Sequence, residues 1–199
     1  MIAAVVLAAG RSTRMGRPKL LLPMADGRPM LAHPIEVLRL AGAAPIVVVG
    51  GPEPGLAQAA ESMGAFVVHG SQDGDADMLA SIQAGLRAVG PSEAEAAMIL
   101  PGDMPFIRAA TIQKLVEAFV SGRPRLLAPS FGRRRGHPVC LAREVWPEVE
   151  ALTAPQTLRD YMRQHSQEIQ YVLVEDPGVL KDVDQPDDYK GALDSGETS

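Results

Sequence analysis

The amino-acid sequence predicts an α/β protein, a Rossmann-like three-layer α/β/α sandwich with a mostly parallel central sheet. Three observations predict it. Short apolar runs alternate with amphipathic stretches at helical spacing as far as Val120, the pattern of strand–helix units that bury both faces of a parallel sheet. The 199 residues are 46% apolar, enough for a sizeable buried core in one compact domain. Glycines and charged residues also follow directly on two of the apolar runs, and ligands of such sheets bind beyond the carboxyl ends of the strands.

Ile2 to Leu7 is the first strand candidate. It carries no basic flank, and Gly10 and Arg11 interrupt the apolar run long before it could span a membrane, so a core strand explains it better than a signal peptide. Pro45 to Val49, Ala65 to Val68 and Ala97 to Leu100 are three further buried strand candidates. Met30 to Leu40, Leu56 to Met63 and Met78 to Val89 lie between them at helical spacing, and in Ala110 to Val120 the residues Ile112, Leu115, Val116 and Phe119 form one apolar face. The second half is less regular. Leu126 to Pro129 and Pro138 to Leu141 read as strands flanking a basic turn, Arg143 to Leu152 and Thr157 to His165 as helices, and Ile169 to Val174 as a last strand. Pro186, Asp187 and Asp188 read as the first turn of a closing helix. No repeat or linker divides residues 1–199, so one domain is expected, with a frayed polar tail over 194–199.

A formal net charge of -5 argues against a protein that holds nucleic acid through a basic surface. A single nucleotide needs only a few local cations and is not excluded. Cys140 is the single cysteine, which rules out an intrachain disulfide and suits a reducing, cytoplasmic setting. No apolar stretch is long enough for a membrane span.

The most informative segment runs from Leu7, Ala8, Ala9 and Gly10 through Arg14, Met15 and Gly16 to Lys19. Small residues let backbone N–H groups approach phosphate oxygens, and Arg14 and Lys19 could neutralise a triphosphate. The spacing is neither a Walker A loop nor a dinucleotide fingerprint. On charge and glycine content alone, an ordinary strand-to-helix loop with solvated charges fits equally well. After the fourth strand, Pro101, Gly102, Asp103, Met104 and Pro105 place a carboxylate at a strand end, stiffened by prolines. Mg²⁺ commonly takes one or two carboxylates plus substrate phosphates, although a lone Gly-Asp turn is more often a loop cap. Asp182 and Asp184, far along the chain, share one side of an extended segment and are both candidates for the partner. Arg135, Gly136 and His137 sit in the basic turn 132–139, which could receive an anionic acceptor or serve as a solvated hairpin tip. Ser81 lies in the first turns of a helix whose free N–H groups could meet a nucleotide.

The Leu7–Gly10 run with Arg14, Met15, Gly16 and Lys19 resembles the signature loop of the MobA-like NTP transferases. The Asp103 turn, the Gly136-His137-Pro138 run and the Asp182–Tyr189 segment follow in that family's order. The resemblance implies a nucleotide-diphospho-sugar transferase-like fold and a nucleotidyltransferase that moves NMP from an NTP to a phosphorylated acceptor. It implies that the Leu7–Gly10 backbone lies near the base with Ser81 and Pro101 also on the nucleotide, and that Arg14 and Lys19 hold the phosphates. Asp103 becomes a Mg²⁺ ligand, with Asp184 or Asp182 as its partner, and Arg135, Gly136 and His137 face the acceptor. Asp77 stands where relatives usually carry glycine ahead of Ser81. The Leu-Ala-Ala-Gly loop and the Arg-rich Gly-His-Pro turn look most like the molybdenum cofactor cytidylyltransferase branch, which implies CTP and a phosphorylated pterin as substrates. A GTP-dependent guanylyltransferase, a sugar-phosphate nucleotidyltransferase and a non-catalytic nucleotide or cofactor carrier for a client molybdoenzyme remain the alternatives.

Overall fold

Apolar runs that bury both faces must lie side by side beneath helices, and the computed structural model arranges them so. It describes residues 1–10, 18–51, 53–70 and 78–194. The strands among them are β1 (Ile2–Ala8), β2 (Ile46–Gly50), β3 (Phe66–His69), β4 (Ala96–Pro101), β5 (Leu126–Phe131), β6 (Arg134–Arg135), β7 (Val139–Ala142) and β8 (Ile169–Leu173). They form one sheet in the order β3-β2-β1-β4-β7-β5-β6, with β8 paired to β5. The first four run parallel, β7 and β6 run against their neighbours, and β8 is parallel to β5. Leu7 stands opposite both Val49 and Pro101 in register. The carboxyl ends of β2, β1 and β4 therefore share one edge.

Helices α1 (Ala32–Leu40), α2 (Leu56–Ser62) and α4 (Ala109–Gly122) pack with one another on the sheet, while α3 (Met78–Val89) lies on β1 and β2 and touches α5 (Trp146–Glu150). The remaining helices are α6 (Leu158–Gln164) and α7 (Pro186–Asp194). Ala3, Ala4, Val5 and Val6 of β1 have no exposed surface, as a central strand covered on both faces requires. Among the described residues, no helix is long and apolar enough to cross a membrane.

Four details differ from the sequence reading. The third strand was expected to be buried, but β3 is an edge strand with Phe66 66% exposed, because it has a neighbour on one side alone. The helix expected over Arg143 to Leu152 divides into a 3-10 turn, Arg143–Val145, and α5, whose first turn contains Pro147, a residue suited to a helix start. In the basic turn, Gly132 and Arg133 both have left-handed backbone, the requirement of a tight two-residue hairpin. Arg134 and Arg135 consequently pair back on Phe131 and Ser130. Asp194, expected to begin the frayed tail, is the last residue of α7, and residues 195–199 lie outside those described.

The seat of α3 depends on Gly85. A Cβ at this position would run into the Val5 side chain, with Val49 Cγ2 at 3.1 Å. Gly85→Val should therefore lower stability by about 1–3 kcal/mol through overpacking. The check is the urea midpoint at unchanged slope, and an unaltered midpoint would mean that α3 can lift without cost.

Candidate active site

Two strands meet at the carboxyl edge of the sheet through a close backbone approach. The Gly102 N–H donates to the Leu7 carbonyl at 2.8 Å. A Cβ on Gly102 would lie 3.0 Å from that same oxygen and 3.2 Å from Leu31 Cδ1, so only glycine lets the β4 turn lie against the end of β1. Asp103 follows at once, pinned by buried Met104 and Ile107 behind it.

Lys19 reaches this turn from the other side. It opens a 3-10 turn, Lys19–Leu21, whose neighbours Leu20 and Leu22 are buried and accept backbone hydrogen bonds from Leu31 and Met30. That anchored hairpin aims the ammonium inward. Lys19 Nζ donates to Asp103 Oδ2 at 2.7 Å and to Asp184 Oδ1 at 2.6 Å. Burial works to lower the Lys19 pKa, but the hydrogen bonds and charges of the two carboxylates outweigh it and raise it. The side chain stays an ammonium throughout the neutral range.

Asp184 is delivered by a strap, residues 179–184, tethered at two points. The Val183 N–H donates to the Asp103 carbonyl at 2.9 Å, and Val183 itself is fully buried. Beyond it, Asp188 in the first turn of α7 accepts from the Gln185 N–H at 2.8 Å and the Asp184 N–H at 3.2 Å, which is half of a capping box. Tyr189 then donates its hydroxyl to the Pro23 carbonyl at 2.5 Å. Of the two aspartates between which the sequence could not choose, Asp184 therefore meets Lys19 beside Asp103, while Asp182 is exposed and its charge acts on His137.

The same strap holds the Gly-His-Pro run. The His137 N–H donates to the Val179 carbonyl and the Gly136 N–H to the Pro129 carbonyl, both at 2.9 Å. A Cβ on Gly136 would stand 2.6 Å from the Val179 oxygen, so no side chain fits there. Burial pushes the His137 imidazole down to about 4, the Arg135 and Arg159 charges push the same way, and Asp182 opposes them. His137 is thus neutral at pH 7, able to donate from one ring nitrogen and accept at the other. Arg135 is half-buried beside it, at the base of the hairpin.

On the opposite side, Ala9 Cβ and Ser81 Oγ each lie 3.3 Å from where a Cβ on Gly70 would be, and Gly70 donates its N–H to Gly50 at 3.0 Å. Ser81 is buried, Ala8 and Pro101 are the last residues of β1 and β4, preceded in β1 by Leu7, and Gly10 is exposed. Small groups therefore line the ends of β1, β2 and β3. Arg14 lies outside the described residues, as do Met15, Gly16 and Asp77.

Lys19, Asp103 and Asp184 were named from the sequence and stand together. Two oxygen ligands already share one cation, the ammonium, so the donor set fits a hard divalent ion that completes its shell with phosphate oxygens. Among the described residues, no three His, Cys, Asp or Glu side chains gather as a metal cage.

Two residues escaped the sequence reading. Asp176 is buried and accepts from the Arg108 N–H at 2.9 Å, the Thr111 hydroxyl at 2.7 Å and the Gly178 N–H at 3.0 Å. It caps α4 and starts the 3-10 turn Pro177–Leu180 that supports His137. Its Asp-Pro-Gly surroundings are a turn signal that could have flagged it. Arg159, near the start of α6, has no such mark in its neighbourhood.

The family model of the MobA-like NTP transferase domain matches residues 4–169. The bifunctional protein GlmU of Pelobacter propionicus is 37% identical over 127 residues, which are 58% of this chain and 25% of that protein; the match thus spans about a quarter of the curated relative. Rv0371c of Mycobacterium tuberculosis superposes with a TM-score of 0.79 at 29% identity over 97% of each chain. Its complex with manganese gives 0.76 at 28% identity over 98% of each chain. A nucleotidyl transferase of Methanothermobacter, Mth528, shares the fold with a TM-score of 0.81 at 24% identity, over 98% of this chain and 97% of that one.

Two measurements probe this geometry. The folded pKa of His137, about 4, lies below the ordinary 6.5. The unfolded chain therefore takes up that proton first as pH falls. The stability tied to a neutral His137 is complete above about pH 6.5 and is lost toward pH 4. Its ring protons in NMR should titrate near 4, and His137→Gln should flatten the decline of stability through that window. Asp176→Ala should cost about 1–3 kcal/mol, because it strands the α4 and Gly178 N–H groups; equilibrium unfolding in urea gives the number.

Proposed function

The chain belongs to the MobA-like NTP transferase family, and we propose on that premise that it transfers CMP from CTP to a phosphorylated pterin, the molybdenum cofactor, releasing pyrophosphate. One observation carries the reading: Lys19, Asp103 and Asp184 converge within hydrogen-bond distance at the carboxyl edge of β1 and β4. In an open α/β sheet this edge is where a ligand lies.

In the proposed reaction an oxygen of the acceptor phosphate attacks the α-phosphorus in line. A new P–O bond forms as the α–β bridging bond breaks and pyrophosphate leaves. No proton need be removed from a phosphate already ionised at neutral pH, which suits a neutral His137 as a hydrogen-bonding and positioning group. Arg135 answers the acceptor's negative charge from the hairpin base. Lys19, with Arg14 by resemblance, balances the charge of the departing pyrophosphate. The Leu7–Gly10 run and Gly102 bring backbone close to the nucleotide where side chains would obstruct it, with Ser81 and Pro101 beside it.

Asp103 and Asp184 would hold Mg²⁺, which when bound supplies charge stabilisation on the transferring and leaving phosphates. Rv0371c has been solved with manganese, and its 28% identity across nearly the whole chain supports a divalent ion here. The choice of CTP rests on the Leu-Ala-Ala-Gly form of the first loop.

The test is pyrophosphate release from each of the four NTPs with Mg²⁺ and purified molybdenum cofactor. Release specific to CTP and dependent on the cofactor is expected, and chelation of the metal should abolish it. Preference for GTP would sink the cytidylyl assignment, and release with a sugar phosphate in place of the cofactor would sink the acceptor. Asp103→Asn should lower kcat by on the order of 10²–10³, in line with the loss of one electrostatic stabiliser, while leaving the thermal melt in place.

A further inference from the structure

The cation between Asp103 and Asp184 is the chain's own. We propose that Lys19 is an internal placeholder that keeps the divalent metal out until a nucleotide triphosphate draws its ammonium away, so that nucleotide binding must precede or accompany metal binding. The inference rests on the reading above, in which Lys19 meets the phosphates and the two aspartates meet the metal.

Three observations support it. The ammonium is shared by Asp103 Oδ2 at 2.7 Å and Asp184 Oδ1 at 2.6 Å, so it uses the same oxygens that a metal would need. An ammonium on those oxygens repels a divalent ion brought beside them, so the two compete for the same pair of carboxylates. The Lys19 side chain is 13% exposed and that of Asp103 20%, against 42% for Asp184, so the repulsion is least screened on the Asp103 side.

Second, the arrangement answers a problem of folding. The strap brings Asp184 to Asp103 through the Val183 hydrogen bond and the α7 anchors, contacts made by the chain alone. Two carboxylates held this close need a counter-charge. Lys19 supplies it through its two hydrogen bonds.

Third, Lys19 is well placed to move. It sits at the first position of a 3-10 turn, directly after residues 7–18, the stretch assigned to the nucleotide. The buried anchors of this segment, Leu20 and Leu22, lie on its far side. A lysine stem can swing its charge by rotamer changes alone, without moving those anchors. The triphosphate carries more negative charge than one carboxylate pair and can compete for the ammonium.

The experiment is Mn²⁺ binding followed by the loss of the free-ion EPR signal, with wild type, Lys19→Met and Lys19→Arg, each with and without the non-cleavable α,β-methylene analogues of CTP and GTP. Without nucleotide, Lys19→Met should bind Mn²⁺ at least about tenfold more tightly than wild type, an effect expected from deleting one adjacent positive charge. Lys19→Arg, which keeps the charge, should stay weak. Adding the analogue should tighten Mn²⁺ binding to wild type far more than to Lys19→Met. Thermal melts give a second readout: Mn²⁺ alone should raise the melting temperature of Lys19→Met more than that of wild type, and they show that each variant folds. Equal or weaker Mn²⁺ binding by nucleotide-free Lys19→Met overturns the placeholder while leaving the nucleotidyltransferase reading intact, provided wild type with analogue binds the ion. If wild type binds no Mn²⁺ even with the analogues, the metal assignment of Asp103 and Asp184 fails, and the placeholder with it.

Discussion

One ammonium group ties together three segments that lie far apart in the chain. Lys19 is separated by 84 residues from Asp103 and by 165 from Asp184, yet all three meet within hydrogen-bond distance. Exposed ion pairs contribute little to stability, and Asp184 is 42% exposed at its side chain. The weight of this contact therefore lies elsewhere. Removing Lys19 leaves the two carboxylates without their shared counter-charge, so the three-way contact ties the Lys19 turn, the β4 turn and the closing strap to one another.

Much of what brings those charges together is neutral and buried. Gly102 lets the β4 turn touch β1, Leu20 and Leu22 root the lysine turn, and Val183 hooks the strap to the Asp103 carbonyl. The Gly136-His137-Pro138 run uses the same strap. Val179 accepts the His137 N–H, and Asp176 fixes the strap's beginning to α4. Both halves of the site thus hang on residues 176–184, a segment with one short 3-10 turn and no strand. Its rigidity comes from side chain and backbone hydrogen bonds to the sheet's loops, not from a ladder of its own.

Elements whose physical signals are local are legible in the sequence. Ile2 to Leu7 and Ala97 to Leu100 were legible because a central parallel strand must be apolar on both faces. Phe66 was misleading for the same reason: an apolar run says that a strand exists, and whether it is central or at an edge depends on which strands pair beside it. The Arg143 to Leu152 helix was shortened by Pro147, whose preference for a first turn outweighed the apolar spacing. Asp176 went unnoticed because its partners, Arg108 and Thr111, are more than sixty residues away, and spacing carries no trace of that.

What the sequence determined by itself is the alternation of elements, the glycine-bearing turns after β1 and β4, and the short roster of charged residues that could serve a nucleotide. Periodicity, turn chemistry and charge act over a few residues and can be read from them. Only the tertiary structure decided which of Asp182 and Asp184 meets Lys19. The two stand on either side of Val183, and the choice was made when that valine was buried, its N–H was given to Asp103 and Tyr189 anchored α7 to Pro23. Tertiary packing likewise set the neutral state of His137, since its burial, the largest cause, and the charge of Arg159 come from segments remote from the Gly-His-Pro run, while Arg135 lies beside it in sequence. An approach of groups across more than a hundred residues depends on how whole elements stack, and no local pattern encodes it.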